Sequence, residues 1–325
     1  MELARGFGAA AILCMDAMQV YRGADIGTSK PTAAERAAVP HGGLDLVDFA
    51  PAAGTPAVGR KGPFDVAQYL KHAEAFLGEQ REAGRRVIIV GGTGLYFRAL
   101  TRGLCEAPQG SEELRAELAS LSVAELQARL KAIDPAMLER LDAANPRRLA
   151  RAIEVCETTG KSLAAWQAET PEPLVREFQA VWIQREKAEL EARIAARVEA
   201  MFAAGWVEEV RGLIAKYGLE VVRSFAGIGY REIADMLGEP DQISKLTKFS
   251  GFEEGEGAAS CDLAQARSPG QQVVRATQTA VKSDTLVATR QYAKRQLTWF
   301  AREPNLKKVM LTGHQPFSLE PRTAA

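Results

Sequence analysis

The sequence carries no excess charge and very few cysteines. Its 325 residues include 41 Lys and Arg against 41 Asp and Glu, so the formal net charge is zero. This balance excludes a global basic field for attracting nucleic acid, and a polyanionic partner would have to meet local basic clusters. The four cysteines lie far apart and show no C-x-x-C spacing, which argues against a zinc site or a disulfide framework and fits a reducing compartment; they are Cys14, Cys105, Cys156 and Cys261.

Long apolar runs are also missing from the sequence. No segment has the length and apolar composition of a membrane span, and the start shows no signal-peptide pattern. We therefore expect a cytoplasmic protein that does not engage a membrane. The length favours two folding units.

The first part of the chain has an α/β pattern. Ala10–Met15 and 85–90 are short apolar runs bounded by turn residues, as expected for buried parallel strands. Between them, 64–84 carries apolar residues at helical spacing and ends on a glycine; the apolar positions are Val66, Leu70, Phe76 and Leu77. Strand, helix and strand in this order predict a doubly wound parallel sheet.

The pattern changes to consecutive short helices at 111–177, with no β-rich run. Capping signals punctuate it, namely Ser122 with Glu125, Asp134 and Asn145 before prolines, and Gly160 at a helix end. Leu126, Leu130 and Ile133 are the apolar positions after the first cap. We predict an all-helical insertion domain at 111–177 within an α/β core of 1–110 and 178–325.

The second part of the α/β core starts with a strand and a long helix. The apolar positions of this helix are Leu190, Ile194, Val198 and Met201, and Gly205 is predicted to interrupt it. Residues 238–284 are rich in polar residues and glycine and are predicted to form a mobile insertion loop. A helix is expected to resume at Thr285, before a last strand at 307–311.

A glycine-rich turn follows the second predicted strand: Gly91, Gly92, Thr93 and Gly94 lead directly into a helix. Glycines allow backbone N–H groups to approach a ligand, and a helix N-terminus favours an anion. The same residues also fit a plain strand-to-helix turn, in which the glycines serve only backbone geometry. Both interpretations stay open on the residues alone.

Charged residues supply further candidates. Asp16 follows the first strand, at the sheet edge where open α/β folds bind ligands, although it could equally cap a helix or pair with an arginine. Arg193 and Arg197 lie one turn apart and could hold a diphosphate, or could be solvated partners of nearby glutamates.

Two basic segments suit a nucleic-acid backbone. Arg147, Arg148 and Arg151 crowd the start of a helix, where cations oppose the helix dipole. The segment "TRQYAKRQLTWF" interleaves basic and aromatic residues, a pattern that also fits an amphipathic core helix with a basic face; its members are Arg290, Tyr292, Lys294, Arg295, Trp299 and Phe300.

The order and wording of these motifs closely resemble the bacterial tRNA dimethylallyltransferase family, also called tRNA isopentenyltransferases. The matching segments are "DAMQVYRGADIGTSKPT", "VPHGGLDLVD", "VGGTGLYFRALTRGL", "NPRRLARAIEVCETTGKSL", "RVEAMFAAGWVEEV", "AGIGYREI" and "TRQYAKRQLTWF". The resemblance extends from about Glu2 to Phe300, except for 238–284.

The resemblance implies transfer of a dimethylallyl group from its diphosphate to N6 of the tRNA adenine that is 3′-adjacent to the anticodon. It implies a P-loop-NTPase-like core, Mg2+ as cofactor, no ATP hydrolysis and a monomer. It assigns catalytic roles to Asp16 as general base, Thr93 and Arg197, and diphosphate contacts to Gly91, Gly92, Thr93, Gly94, Arg193 and Arg197. The implied tRNA path comprises Asp16, Ala17, Met18, Gln19, Arg147, Arg148, Leu149, Ala150, Arg151, Ala226, Gly227, Ile228, Gly229, Tyr230 and Arg231.

The sequence departs from the family at its start. The first strand and the Walker-type G-x-x-x-x-G-K-[ST] loop are absent, with the lysine and the metal-binding hydroxyl that they supply, so no metal ligand is assigned. We therefore expect weak or absent prenyl transfer from residues 1–325. The alternatives are a catalytically weak homologue that still binds tRNA and a P-loop kinase acting on a small metabolite.

Overall fold

The computed structural model describes residues 1–49, 64–238, 269–304 and 306–313, and within 269–277 only the backbone. The described residues form two compact units, Met1–Phe97 with Phe178–Ala325, and Arg98–Glu177. The sequence placed the first boundary at 110. The structure divides earlier because Ala107 joins the core of the helical unit.

The α/β unit contains two parallel sheets in its described part. The strands β1, β2 and β3 form one sheet in the order β2-β1-β3, and β4 pairs with β5 in the other. The elements are α1 Glu2–Gly6, β1 Ala10–Met15, α2 Ala33–Ala38, β2 His41–Gly42, α3 Val66–Glu82, β3 Arg86–Gly91, α4 Gly94–Arg102 (which enters the helical unit), β4 Ala180–Gln184, α10 Lys187–Ala203, α11 Trp206–Tyr217, α12 Leu219–Ser224, α13 Tyr230–Gly238, α14 Pro269–Phe300 and β5 Leu306–Met310.

Strand β1 is the centre of the three-stranded sheet, which confirms the predicted buried strand at Ala10–Met15. All of its residues are buried. Strand β3 pairs with β1 from Ala10↔Arg86 to Met15↔Gly91, and its other edge has no strand partner among the described residues. Val90 near the end of β3 is accordingly 53% exposed.

Helix α3 presents a different face to the core from the one predicted. Its buried residues are Tyr69, Ala73, Phe76 and Gln80, whereas Val66, Leu70 and Leu77 are only partly buried. The helix begins at a capping box made by Asp65 and Gln68. Tertiary packing decides which face of α3 is buried, because the apolar residues of this helix do not fall on a single face.

Helices α10 and α11 are separated at Gly205, as predicted. Gly205 has φ 94°, a left-handed conformation that glycine adopts without a steric penalty. Ile194, Val198 and Met201 of α10 are buried, and Leu190 only partly.

The predicted loop at 238–284 is wrong over its last part. Helix α14 begins at Pro269, so its backbone is helical well before Thr285. Val281 and Thr285 are both buried, and α14 contacts α10 and α13. This tertiary packing supports a helix that the polar composition concealed. The rest of the predicted loop, 239–268, lies outside the described residues.

The helical unit contains α5 Glu112–Ser120, α6 Val123–Ile133, α7 Pro135–Arg140, α8 Pro146–Thr159 and α9 Leu163–Ala168. Its caps are confirmed: Ser122 and Glu125 form a capping box, Asp134 and Asn145 cap α7 and α8, and Gly160 ends α8 with φ 68°. Leu126, Leu130, Leu149 and Ile153 form its core. Ile133 was predicted to join them but is exposed, because α6 turns its last residue outward.

None of the helices in the described residues is long and apolar enough to cross a bilayer. Cys14, Cys105 and Cys156 are free thiols. Cys261 lies outside the described part of the chain.

Candidate active site

Asp16 and Thr93 meet at the carboxyl ends of two adjacent parallel strands, as the sequence predicted. Because Met15 pairs with Gly91, the loops that leave β1 and β3 start side by side. The backbone N–H of Ala17 donates to Thr93 Oγ1 at 3.0 Å. Asp16 and Thr93 therefore belong to one site.

The carboxylate of Asp16 is held by its own loop. Its Oδ1 accepts hydrogen bonds from the backbone N–H groups of Met18 at 2.8 Å and Gln19 at 3.3 Å. Oδ2 receives no hydrogen bond from the residues that the structure describes. One oxygen is thus fixed by the backbone, and the other is available to accept a proton.

The glycine turn serves close packing. A Cβ at Gly91 would lie 2.0 Å from a carbonyl oxygen of β1, and a Cβ at Gly92 would lie 2.0 Å from Gln296 Nε2. A Cβ at Gly94 would lie 2.4 Å from the ring of Trp299. Helix α14 therefore approaches this turn closely, and packing alone accounts for the three glycines. Their predicted diphosphate contacts stay a prediction.

Arg197 reaches the same site from α10. Its Nε donates to Ser29 Oγ at 3.0 Å, and its two Nη groups have no hydrogen-bond partner among the described residues. The residue as a whole is exposed, yet neighbouring protein atoms partly desolvate its guanidinium. This partial desolvation lowers the pKa of Arg197, and the charge of Asp16 acts in the opposite direction. The Nη groups are thus free to form a fork around an anion.

Ser29 is a residue of this site that the sequence did not single out. It is not a glycine, but it has φ 53°, a left-handed conformation that is uncommon for other residues. Its carbonyl accepts a hydrogen bond from Gln19 Nε2 at 3.3 Å, and the carbonyl of Thr28 accepts one from the same nitrogen at 3.0 Å. The strained residue fixes the Nε atom of Arg197.

Arg193 is engaged elsewhere in the α/β unit. Its Nε donates to Glu189 Oε1 at 2.9 Å and its Nη2 to the carbonyl of Gly313 at 2.8 Å. Arg185 donates to the same two groups. The structure thus gives Arg193 a tethering role near β5, and its predicted diphosphate contact remains untested.

Protonated side chains surround Asp16. Burial, reinforced by the charge of Asp16, raises the pKa of Tyr292, and burial is also the main cause of the raised pKa of Tyr96. Burial raises the pKa of the Cys14 thiol to about 11. The phenols and the thiol therefore stay neutral at physiological pH.

The predicted tRNA path at 226–231 contains both exposed and buried residues. Ala226 and Arg231 are exposed, but Tyr230 is fully buried and donates to Glu209 Oε1 at 2.6 Å. The Tyr230 side chain is therefore a packing element and offers no contact surface, which corrects this part of the prediction. Glu209 also accepts the backbone N–H groups of Asp25 and Ile26 at 2.9 and 2.6 Å.

Trp206 packs against the same two segments that Glu209 connects by hydrogen bonds, one around Gly27 and the other around Gly229. Its Nε1 would lie 2.1 Å from a Cβ at Gly27, and its ring would lie 2.1 Å from a Cβ at Gly229. Each glycine therefore makes room for one side of the same indole.

The arginines of α8 in the helical unit have different environments. Arg147 and Arg148 are exposed, whereas Arg151 donates to the carbonyls of Ala107 and Pro108 and to Glu154. Leu149 is fully buried in the core and Ala150 is partly buried. The Leu149 side chain is thus unavailable for contact, which corrects its predicted place on the tRNA path.

The predicted magnesium ion has no ready-made cluster of ligands in the described part of the chain. The described residues contain no group of three or more His, Cys, Asp or Glu side chains placed to hold a metal. One carboxylate oxygen of Asp16 already accepts hydrogen bonds from backbone N–H groups. The expectation of Mg2+ remains a prediction.

Comparison with known proteins places the chain in a family. Residues 19–303 match the family described as IPP transferase. The tRNA dimethylallyltransferase of Methylacidiphilum infernorum is 40% identical over 300 residues, which cover 92% of this chain and 78% of that protein. The chain belongs to the IPP transferase family.

Solved structures agree with this assignment. The full-length tRNA isopentenylpyrophosphate transferase of Bacillus halodurans aligns with TM-score 0.52 and 28% identity, over 95% of this chain and 84% of that one. A eukaryotic dimethylallyltransferase acting on tRNA aligns with TM-score 0.60 over 92% of this chain and 65% of that one. At 19% identity the eukaryotic structure supports the fold only. The α/β fold with a P-loop-like parallel sheet, predicted from the sequence, is confirmed.

Proposed function

We propose that this protein transfers a dimethylallyl group from dimethylallyl diphosphate to N6 of the adenine 3′-adjacent to the anticodon in tRNA and releases diphosphate. The observation that carries the proposal is the hydrogen bond from Ala17 N–H to Thr93 Oγ1, since it brings the predicted base and the glycine turn together. Two relatives carry the name tRNA dimethylallyltransferase, and their names support a reaction of this class.

The reaction forms an N–C bond and breaks a C–O bond. The N6 amine attacks C1 of the dimethylallyl group, and the electron pair of the C–O bond leaves with the diphosphate. Because the exocyclic amine of adenine is a weak nucleophile, its proton needs an acceptor, and we assign this role to Asp16 Oδ2.

The leaving diphosphate needs fixed positive charge and hydrogen-bond donors. The free Nη groups of Arg197 provide a fork for its oxygens, and Thr93 provides a hydroxyl at the end of β3. The adenine must leave its stack to reach Asp16, as in other enzymes that modify a base. The exposed Arg147 and Arg148 of the helical unit are suited to the RNA backbone.

The test is a single-turnover assay with residues 1–325 in excess over an anticodon stem-loop RNA. Dimethylallyl diphosphate labelled in the allyl group reports transfer. An RNA with purine in place of the target adenine lacks N6 and should receive no label. Asp16→Asn keeps the backbone hydrogen bonds but removes the base, so the rate should fall about 10²-fold or more, far more than the RNA affinity.

Asp142→Asn is the matched control, because Asp142 is an exposed carboxylate of the helical unit. Label in the purine RNA, or an Asp16→Asn rate equal to wild type, would refute the proposed reaction. RNA binding without any transfer would favour the tRNA-binding homologue. Consumption of ATP that is independent of RNA would favour the kinase alternative.

A further inference from the structure

One face of α14 lies against the glycine turn. Tyr292, Gln296 and Trp299 occupy positions i, i+4 and i+7, which share a side of a helix. Gln296 Nε2 donates to the carbonyl of Gly92 at 3.0 Å, and Trp299 abuts Gly94. The aromatic and amide groups of this segment thus face the site, whereas the basic Arg290, Lys294 and Arg295 are exposed.

Tyr292 connects this face to Thr93. Its phenol lies close enough to the side chains of Thr93 and Gln296 for both to lower its pKa, against the larger effect of burial. Thr93 Oγ1 accepts the N–H of Ala17 and has a second lone pair that can accept the O–H of Tyr292, so its own single proton is left for an anion. The hydroxyl of Thr93 is therefore held from two sides.

We propose, on the basis of the function proposed above, that Tyr292 and Gln296 are positioning residues for the diphosphate site. Gln296 fixes the backbone of the glycine turn through the Gly92 carbonyl, and Tyr292 fixes the orientation of the Thr93 hydroxyl. Both act through other groups, so the bound diphosphate need not contact either of them. In this arrangement α14 sets the geometry of a turn that is remote in sequence.

The first experiment requires no ligand. Hydrogen–deuterium exchange is followed in peptides that cover 87–95, in wild type, Gln296→Ala and Gln291→Ala. Gln291 lies on the same helix but is exposed, which makes it a matched control. Gln296→Ala should exchange about fivefold faster at the turn, because one anchoring hydrogen bond is lost, and Gln291→Ala should match wild type. Equal exchange in all three proteins would overturn the role of Gln296.

The second experiment is a double-mutant cycle of Thr93→Val and Tyr292→Phe, read as affinity for dimethylallyl diphosphate by calorimetry. Each variant should weaken binding about fivefold, and the double variant should bind no more weakly than Thr93→Val, since Tyr292 acts through the Thr93 hydroxyl. Melting temperatures verify that all four proteins fold.

The outcomes separate this inference from the proposed function. Additive losses, or no loss from Tyr292→Phe, would refute the role of Tyr292. Full affinity in Thr93→Val, or no binding by wild type, would instead count against the proposed function, and the exchange experiment would still decide the role of Gln296.

Discussion

Helices α8 and α10 carry arginines at similar spacing, but each helix uses them in two ways. In α8, Arg151 is bound to backbone carbonyls and a buried glutamate, whereas Arg147 and Arg148 are exposed. In α10, Arg193 is bound to Glu189 and Gly313, whereas Arg197 keeps its Nη groups free.

The difference between the helices lies in where the uncommitted arginines are. The uncommitted arginines of α8 are exposed on the helical unit, whereas the guanidinium of Arg197 in α10 is partly desolvated and feels the charge of Asp16. Exposed arginines suit an extended polyanion, and a partly desolvated guanidinium with free Nη groups suits a small anion. Spacing along a helix therefore does not identify a binding arginine, but its partners and surroundings do.

The largest effect is expected within α10. Arg197→Ala should lower the single-turnover transfer rate by about 10²- to 10³-fold, because the departing anion loses a fixed charged donor. Arg193→Ala should change the rate by no more than about threefold, since its guanidinium serves a surface tether. Equal losses in the two variants would erase the distinction between these arginines.

Within α8, the contrast should appear in stability. Arg151→Ala leaves the buried carboxylate of Glu154 without its cation and should lower the free energy of unfolding by about 3 kcal/mol in urea titration. Arg147→Ala should leave stability within about 0.5 kcal/mol of wild type.

In RNA binding the order of the two α8 variants should be reversed, so that Arg147→Ala has the larger effect. Arg147→Ala should weaken anticodon stem-loop binding and reduce the slope of log affinity against log salt by roughly 0.7 to 0.9, as expected for one lost phosphate contact. A salt slope unchanged by Arg147→Ala would remove α8 from the RNA-binding surface.

A smaller effect is expected at Ser29. Ser29→Ala removes the acceptor of Arg197 Nε and should lower the transfer rate about fivefold. Ser29→Gly removes the same acceptor but relieves the left-handed strain, so it should be more stable than Ser29→Ala in thermal unfolding. If both variants transfer at the wild-type rate, Ser29 does not position Arg197.

The smallest effect concerns the tether of α10. The hydrogen bond from Arg193 lowers the pKa of Glu189, which is partly exposed. A carboxyl group with a lowered pKa stabilises the fold above its unfolded pKa of about 4.3, and this contribution is lost as the pH falls through the folded value. Wild type should thus melt slightly above Glu189→Gln at pH 7, with the two converging in acid. A difference that grows in acid would contradict this sign.

Local signals in the sequence were sufficient for strand β1 and for the helix caps, but they did not indicate the short strand β2. The apolar run Ala10–Met15 became β1 with the same ends, and the caps at Ser122 and Asn145 depend only on residues a few positions away. The meeting of Asp16 and Thr93 followed from the parallel pairing of two adjacent strands.

Features that depend on distant residues were missed. Arg151 and Arg193 find carbonyl partners far along the chain, at Ala107 and Gly313, and nothing near them in sequence indicates this. The start of α14 was concealed because its support comes from α10 and α13. The spacing of Tyr292, Gln296 and Trp299 did contain a signal, but the basic residues between them drew the interpretation towards nucleic acid.

The indole of Trp206 constrains how this sequence can diverge. Since Gly27 and Gly229 both adjoin it, a side chain gained at one glycine is tolerable only if position 206 shrinks, and a smaller residue there leaves a void beside both loops. These three positions should therefore change together or stay fixed during evolution. Joint variation of the three positions among relatives would then reflect one steric requirement. Gly27 and Gly229 lie in separate sequence segments, and each segment alone could be mistaken for an independent motif.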